Sequence, residues 1–272
     1  MKHGTHALAL AISLGISQSW ALAITVDGSL TDWGINPSTW LPSDPHIHYK
    51  IEDQTGNANA YLGPGWGGQA YDAEAMYALI QGNRLYVAMA TGHDPRTLHK
   101  PSANSYGAGD FFIDFGKNGS YEVAININHK LPTGFEGTFV EGGVYKVLSY
   151  AVGLFQETDP EYPVSPVWRP AYLTSGTLLG MASLAYTTTP TTGWGQWTAD
   201  RHYFYEFSVG LDLLRTVGWD GNPFNIHWTM NCANDAIWID PPGPNDVPAP
   251  GTLALLPLGL LGLAVLRRRV AG

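Results

Sequence analysis

One cysteine, Cys232, occurs in the 272 residues, so no disulfide can form within the chain, and an apolar interior is the simplest place for its thiol. Charge is also scarce. Asp, Glu, Lys and Arg make up 14% of the residues, and the bases are outnumbered, 14 against 23 acids. A net charge of −9 repels phosphate backbones, which excludes non-specific nucleic-acid binding and leaves cations or neutral polymers as partners. The signatures of common catalytic machinery are missing too: no G-x-S-x-G elbow, no P-loop, no G-x-G-x-x-G opening a helix and no H-E-x-x-H. No EF-hand spacing is present. Neither a fixed repeat nor an alternation of strands with helices appears, which excludes solenoids and parallel α/β folds.

What is plentiful is turn formers and rings: 32 Gly, 19 Pro, 10 Trp, 14 Tyr and 9 Phe. This composition suits an exported all-β domain. Short β-branched or aromatic runs alternate with turn clusters. Residues 75–80 and 84–91 flank Gln81-Gly82-Asn83, and 110–115 and 121–128 flank a Gly/Asn-rich turn, so two hairpins are expected there. A third is expected around Glu141-Gly142-Gly143. Further strands are expected at 177–187, 202–209, 224–230 and 236–240, with one short helix at 211–217. The expectation is an all-β ectodomain over 24–240, an antiparallel β-sandwich of jelly-roll-like form, with Trp33, Trp219, Trp228 and Trp238 in its core.

Both ends carry export information. Residues 1–23 combine Lys2, an apolar stretch and a small-x-small site at Ala21 and Ala23, the pattern of a secretory signal peptide. Without Lys2 and the three terminal arginines, 10 bases face 23 acids, a formal charge of −13. At the other end a Pro-rich linker, 241–250, leads to an uncharged run, 251–266, and then to Arg267, Arg268 and Arg269 in a basic tail, 267–272. As a helix the run would extend roughly 24 Å, enough to cross a membrane when arginine stems snorkel, with the basic end held in the cytoplasm. A buried C-terminal helix is the alternative, but the run lacks a polar stripe.

This order of Pro-x-Pro signature, brief span and arginine stop resembles the PEP-CTERM sorting tail of Gram-negative bacterial surface proteins. The signature falls on Val247, Pro248, Ala249 and Pro250, with Ala249 where the family usually carries Glu. The resemblance implies an exosortase-type membrane protease as partner, a transient hold in the inner membrane, and delivery to the cell surface or extracellular matrix. A second resemblance spans the body. ITVDGSLTDW, GDFFIDFGKNGSYEVAININ and YFYEFSVGLDLL are similar to the sandwich of family-9 carbohydrate-binding modules and DOMON-type domains. It rests on Asp27, Gly28, Asp32 and Trp33, on Gly109, Asp110 and Asp114, and on Glu206. WTMNCANDAIWID resembles a strand that recurs near the end of PEP-CTERM ectodomains.

Candidate chemistry follows from residue type. Trp66, Trp194 and Trp197 sit on Gly-rich stretches, where an exposed indole can stack on a sugar ring of an extracellular polysaccharide; core or loop-tacking roles are the alternative. Asp110 and Asp114 share a strand face and are the candidate ligands for structural calcium, which the second resemblance also implies; Asp27 with Asp32, and Asp72 with Glu74, are further carboxylate pairs that could converge. His46-x-His48, with His93, His99 or His129, is a weaker candidate for a transition metal. A glycosidase would need two carboxylates, and Asp110, Asp114 or Glu206 would supply them. The sequence therefore favours a non-catalytic, exported protein associated with exopolysaccharide or biofilm, with a secreted hydrolase and a self-assembling coat protein as alternatives.

Overall fold

The structure, a computed structural model, describes residues 23–53, 68–127, 139–153 and 170–241. Eleven strands, one short α-helix and two single-turn 3-10 helices (Gln69–Tyr71 and Pro101–Ala103) are present among them. Five strands form one sheet: β1 (His48–Ile51), β2 (Ala73–Gln81), β3 (Arg84–Thr91), β8 (Ser183–Tyr186) and β9 (Tyr203–Gly210), in the order β1-β2-β3-β9-β8. Six form the other: β4 (Phe111–Asp114), β5 (Val123–Ile125), β6 (Gly143–Val152), β7 (Pro170–Met181), β10 (Asn225–Thr229) and β11 (Ala236–Ile239), in the order β11-β10-β4-β5-β6-β7. Every pairing between these strands is antiparallel. Each sheet is a meander joined at one side by a later hairpin. Helix α1 (Leu211–Arg215) follows β9 directly.

The sheets bury a shared core. Met76, Leu85, Val87, Tyr205 and Phe207 from one meet Phe111, Ile113, Val123, Ile226, Trp228 and Ile237 from the other. Trp33, Trp219, Trp228 and Trp238 are all buried, and so is Cys232, whose thiol burial pushes up to about 12. The outer face of the five-stranded sheet is covered as well. The segment 24–47 lays Leu30, Trp33, Ile35, Trp40 and Ile47 over Ala75, Tyr77, Ala88 and Phe204. Burying both faces of β2 explains its near-continuous apolar sequence.

The β2–β3 hairpin closes on the two residues Gly82-Asn83, with Gln81 opposite Arg84. The β4–β5 hairpin is also present. The third expected hairpin is not: Phe139 and Val140 enter a turn, with Gly143 N–H bonded to Val140 O at 2.8 Å, and β6 pairs with β5 and β7 instead. The run 177–187 is two strands, because the chain passes from one sheet to the other at Ala182. Such sheet switching makes a sandwich corner. His46 precedes β1 and bonds Asp44, so it does not share a strand face with His48. Among the described residues no helix is long and apolar enough to cross a membrane; the run 251–266, the signature Val247–Pro250, Arg267–Arg269, Ala21, Trp66 and His129 lie outside them.

Candidate functional site: an acidic cluster beneath an end cleft

The carboxylates singled out by sequence act as fold latches. Glu206, fully buried on β9, accepts the backbone N–H of Asp27 (3.0 Å), Gly28 (2.5 Å) and Ser29 (3.0 Å) and the Trp33 indole N–H (2.6 Å). Three of them, Asp27, Gly28 and Trp33, belong to the opening motif noted in the sequence, and all four fasten the N-terminal cover to the sheet. Burial raises the Glu206 carboxyl above its ordinary range, against the pull of the four donors. Asp110 accepts from Asn126 Nδ2 (3.0 Å) and from the amides of Ile127 (3.0 Å) and Leu173 (2.8 Å), joining the end of β5 to the start of β7. Asp114 caps the turn after β4 through Gly116 N (2.9 Å) and Gly119 N (2.7 Å). Asp110 and Asp114 thus remain on one side of β4 but serve separate amide sets, and neither joins a metal-capable group of three acids or histidines among the described residues.

The acids that do converge are Asp53, Asp72 and Glu74, whose ligand-capable oxygens lie within 4.8 Å of one another. They meet at one end of the sandwich, where β2 begins. Pairing of β1 with β2 brings Ile51 opposite Ala75, so Asp53, two residues on, reaches the level of Ala73. The register of β2 on β3 slips between Ala73 and Ala75. Ala73 packs into the inter-sheet core while Ala75 faces the outer cover, and Glu74, inside the irregularity, turns towards His202. Re-aiming a side chain is a common use of a bulge.

Each acid is held differently. Asp53 Oδ2 accepts Trp40 Nε1 and Gln196 N, both at 2.9 Å. Gly195 makes that loop possible: at φ +63° any Cβ would lie 2.2 Å from Asp53 Oδ2. Glu74 faces His202 Nδ1 with both oxygens (2.7 and 2.8 Å) and accepts Gln69 Nε2 (2.6 Å); burial nevertheless raises its carboxyl. Asp72 is fully buried and neither oxygen meets a hydrogen-bond donor. Beside it stands Asp235, which accepts Ala73 N (2.7 Å) and Ala236 N (2.9 Å) and so stitches the two sheets together. Burial first, then the charges of Asp235, Glu74 and Asp53, and last a carboxyl–carboxyl hydrogen bond with Asp235, push the Asp72 carboxyl up to about 10. Two non-glycine residues flanking the cluster, Trp40 (φ 60°) and Ala233 (φ 56°), occupy the left-handed region. Trp40 is kept there by its carbonyl bond from Tyr77 Oη (2.7 Å) and by stacking on Trp194.

Above the cluster opens a cleft of about 440 Å³ between the 69–71 turn, the loop after β3 and the loop before β9. Tyr71 and Tyr203 supply rings; Gln69, Asp94, Asp200 and Arg201 supply polar groups. Asp94 is clamped by Arg96 (2.9 and 2.7 Å), which holds its carboxyl below the usual range. Tyr203 Oη donates to the same carboxylate at 3.2 Å.

No family model and no curated protein matches the chain.

Of the loop indoles, Trp194 stacks on Trp40 (5.1 Å) and meets Phe204 edge-on, a packing role. Trp197 is 49% exposed, two residues before the Ala199–Arg201 stretch that lines the cleft. Among the described residues the candidate histidines do not gather: His46 is on Asp44, His93 is buried against Ala70 O (2.9 Å), and His99 meets Asn231 (3.2 Å). The sequence offers Asp72 and Glu74 as a pair two apart, but nothing local marks Asp53, Asp235 or His202 as their neighbours.

Proposed function

We propose that the chain is an exported bacterial surface or matrix protein whose jelly-roll-like sandwich ectodomain binds extracellular polysaccharide without catalysis. Export rests on the segments at its ends: a signal peptide removed after Ala23, and a sorting tail in which Val247–Pro250 are read by an exosortase-type protease, 251–266 cross the inner membrane and Arg267–Arg269 stop transfer. Ile24 packs against the outer cluster while Ala23 is exposed, a placement that suits cleavage between them.

The observation that carries the polysaccharide reading is the end cleft, with Tyr71 and Tyr203 beside an Arg201, Asp200 and Gln69 rim and the exposed Trp197 on the same loop. Ring faces with adjacent planar polar groups are the recognition chemistry of sugars. That Asp110, Asp114 and Glu206 serve backbone amides supports structural roles for all three. Affinity electrophoresis in gels containing the producer's exopolysaccharide tests the proposal. Retardation should be lost in Trp197→Ala and Arg201→Ala and kept in Tyr49→Ala, on the edge strand β1 and outside the cleft lining. Absence of retardation with and without calcium would sink it.

A second reading, self-assembly into a coat, draws on β7, an edge strand, and on Leu148, Leu178 and Met181, which are 64%, 48% and 54% exposed on the β6–β7 ribbon. The same gel separates the two, since assembly would ignore both Trp197 and Arg201.

A further inference from the structure

Asp72 poses a chemical problem that the fold does not solve with its own atoms. Its carboxyl group is wholly withdrawn from water, yet no N–H or hydroxyl group donates to either oxygen; its one hydrogen-bonding neighbour is the carboxyl of Asp235, and Asp53 and Glu74 are acids as well. The buried carboxyl groups of Glu206 and Asp110, by contrast, are satisfied by amide or indole N–H groups. Here the base in contact is His202, and its Nδ1 is already spent on both oxygens of Glu74. Carboxylates brought together in the interior require a cation or a proton between them.

We infer that Asp53, Asp72 and Glu74 bind a hard divalent cation, calcium, at the open end of the β1–β2 pair. Calcium takes oxygens at about 2.3–2.6 Å, so ligands facing each other across the ion stand roughly 4.6–5.2 Å apart. The three side chains offer oxygens within 4.8 Å of one another. The donor set is all oxygen, which disfavours zinc and copper. The ion would join the segment after β1 to the start of β2. Asp53 also holds Trp40 and the Gln196 amide, so the ion would steady both the N-terminal cover and the loop that borders the cleft. This site is separate from the polysaccharide reading and stands or falls without it.

Terbium luminescence provides the test, because Trp40 Nε1 lies 2.9 Å from Asp53 Oδ2 and its indole can sensitise a lanthanide held there. Purified protein freed of metal by chelator should give sensitised Tb³⁺ emission that Ca²⁺ displaces and equimolar Mg²⁺ does not. Its Tm should rise by roughly 5–10 °C when Ca²⁺ is a hundredfold above its Kd. Asp72→Asn should lose both responses while unfolding in chelator at or above the wild-type temperature, since it replaces a carboxyl group crowded by other acids with a neutral amide; that distinguishes lost binding from lost folding. Asp212→Asn, at a side chain 78% exposed, should behave as wild type. The inference is overturned by a wild-type Tm indifferent to Ca²⁺, which would leave a proton on Asp72 in place of the ion. A Ca²⁺ response that survives in Asp72→Asn, or a response to Zn²⁺ alone, would overturn it equally.

Discussion

Replacing Glu206 by glutamine tests whether the N-terminal cover is fastened by that side chain. Oε2 accepts three consecutive amides, from Asp27, Gly28 and Ser29, and Oε1 accepts the Trp33 indole. Glutamine keeps one acceptor oxygen for the amides and turns an NH₂ group towards the indole N–H, so two donors confront each other in a buried site. One stranded buried donor costs about 1–3 kcal/mol, and exchanging charge-assisted for neutral hydrogen bonds weakens the rest, so a loss of about 3 kcal/mol is expected. For a body of this size that is roughly 6–12 °C in Tm, read by circular dichroism on the purified protein. A double-mutant cycle sharpens the result. Trp33→Phe alone leaves Oε1 without its donor, but combined with Glu206→Gln it removes the donor clash, so the pair should be less destabilised than the sum by about 1–2 kcal/mol. A Glu206→Gln shift below about 2 °C, or strict additivity, would refute the latch.

Two further outcomes follow from the same geometry. Gly109→Ala, just before β4, would place a Cβ 2.0 Å from Thr229 O of β10 and 2.3 Å from Ala171 O of β7, so a destabilisation of about 3 kcal/mol or more is expected in chemical denaturation; a near-neutral effect would show that the segment leading into β4 has room to shift. In chelator the folded protein keeps a proton on Asp72, whose carboxyl is raised from 3.8 to about 10, where the unfolded chain has released it. Stability should therefore fall as pH rises through that window, by at most about 1.4 kcal/mol per pH unit, and Asp72→Asn should flatten the slope; urea midpoints at several pH values would expose a slope of the opposite sign.

How much of this was legible beforehand depends on the range of the interactions involved. Gly82-Asn83 between two apolar runs announces the β2–β3 hairpin because a two-residue turn and strand alternation are properties of adjacent residues. The two-sheet β-sandwich, the burial of Trp33, Trp219, Trp228 and Trp238, and the inert interior place of Cys232 follow from composition and pattern in the same way. The chain gives no local sign of the switch between sheets at Ala182, since 177–187 reads as one uninterrupted strand. Nor does it show that Trp194 stacks on Trp40, which depends on the cover laid over the five-stranded sheet.

The acids show the division most clearly. Sequence spacing directs attention to Asp110 and Asp114, yet tertiary contacts give each its own set of amides. Asp72 and Glu74 are visible as a pair, but their partners come from 19 residues upstream through the β1–β2 register and from the far end of the chain through the β10–β11 turn. By itself the sequence determined an acidic β protein without an intrachain disulfide, because charge, cysteine count and strand period are local sums. Only the tertiary structure decided which carboxylates are satisfied and which are left facing one another, because that depends on where distant amides come to rest.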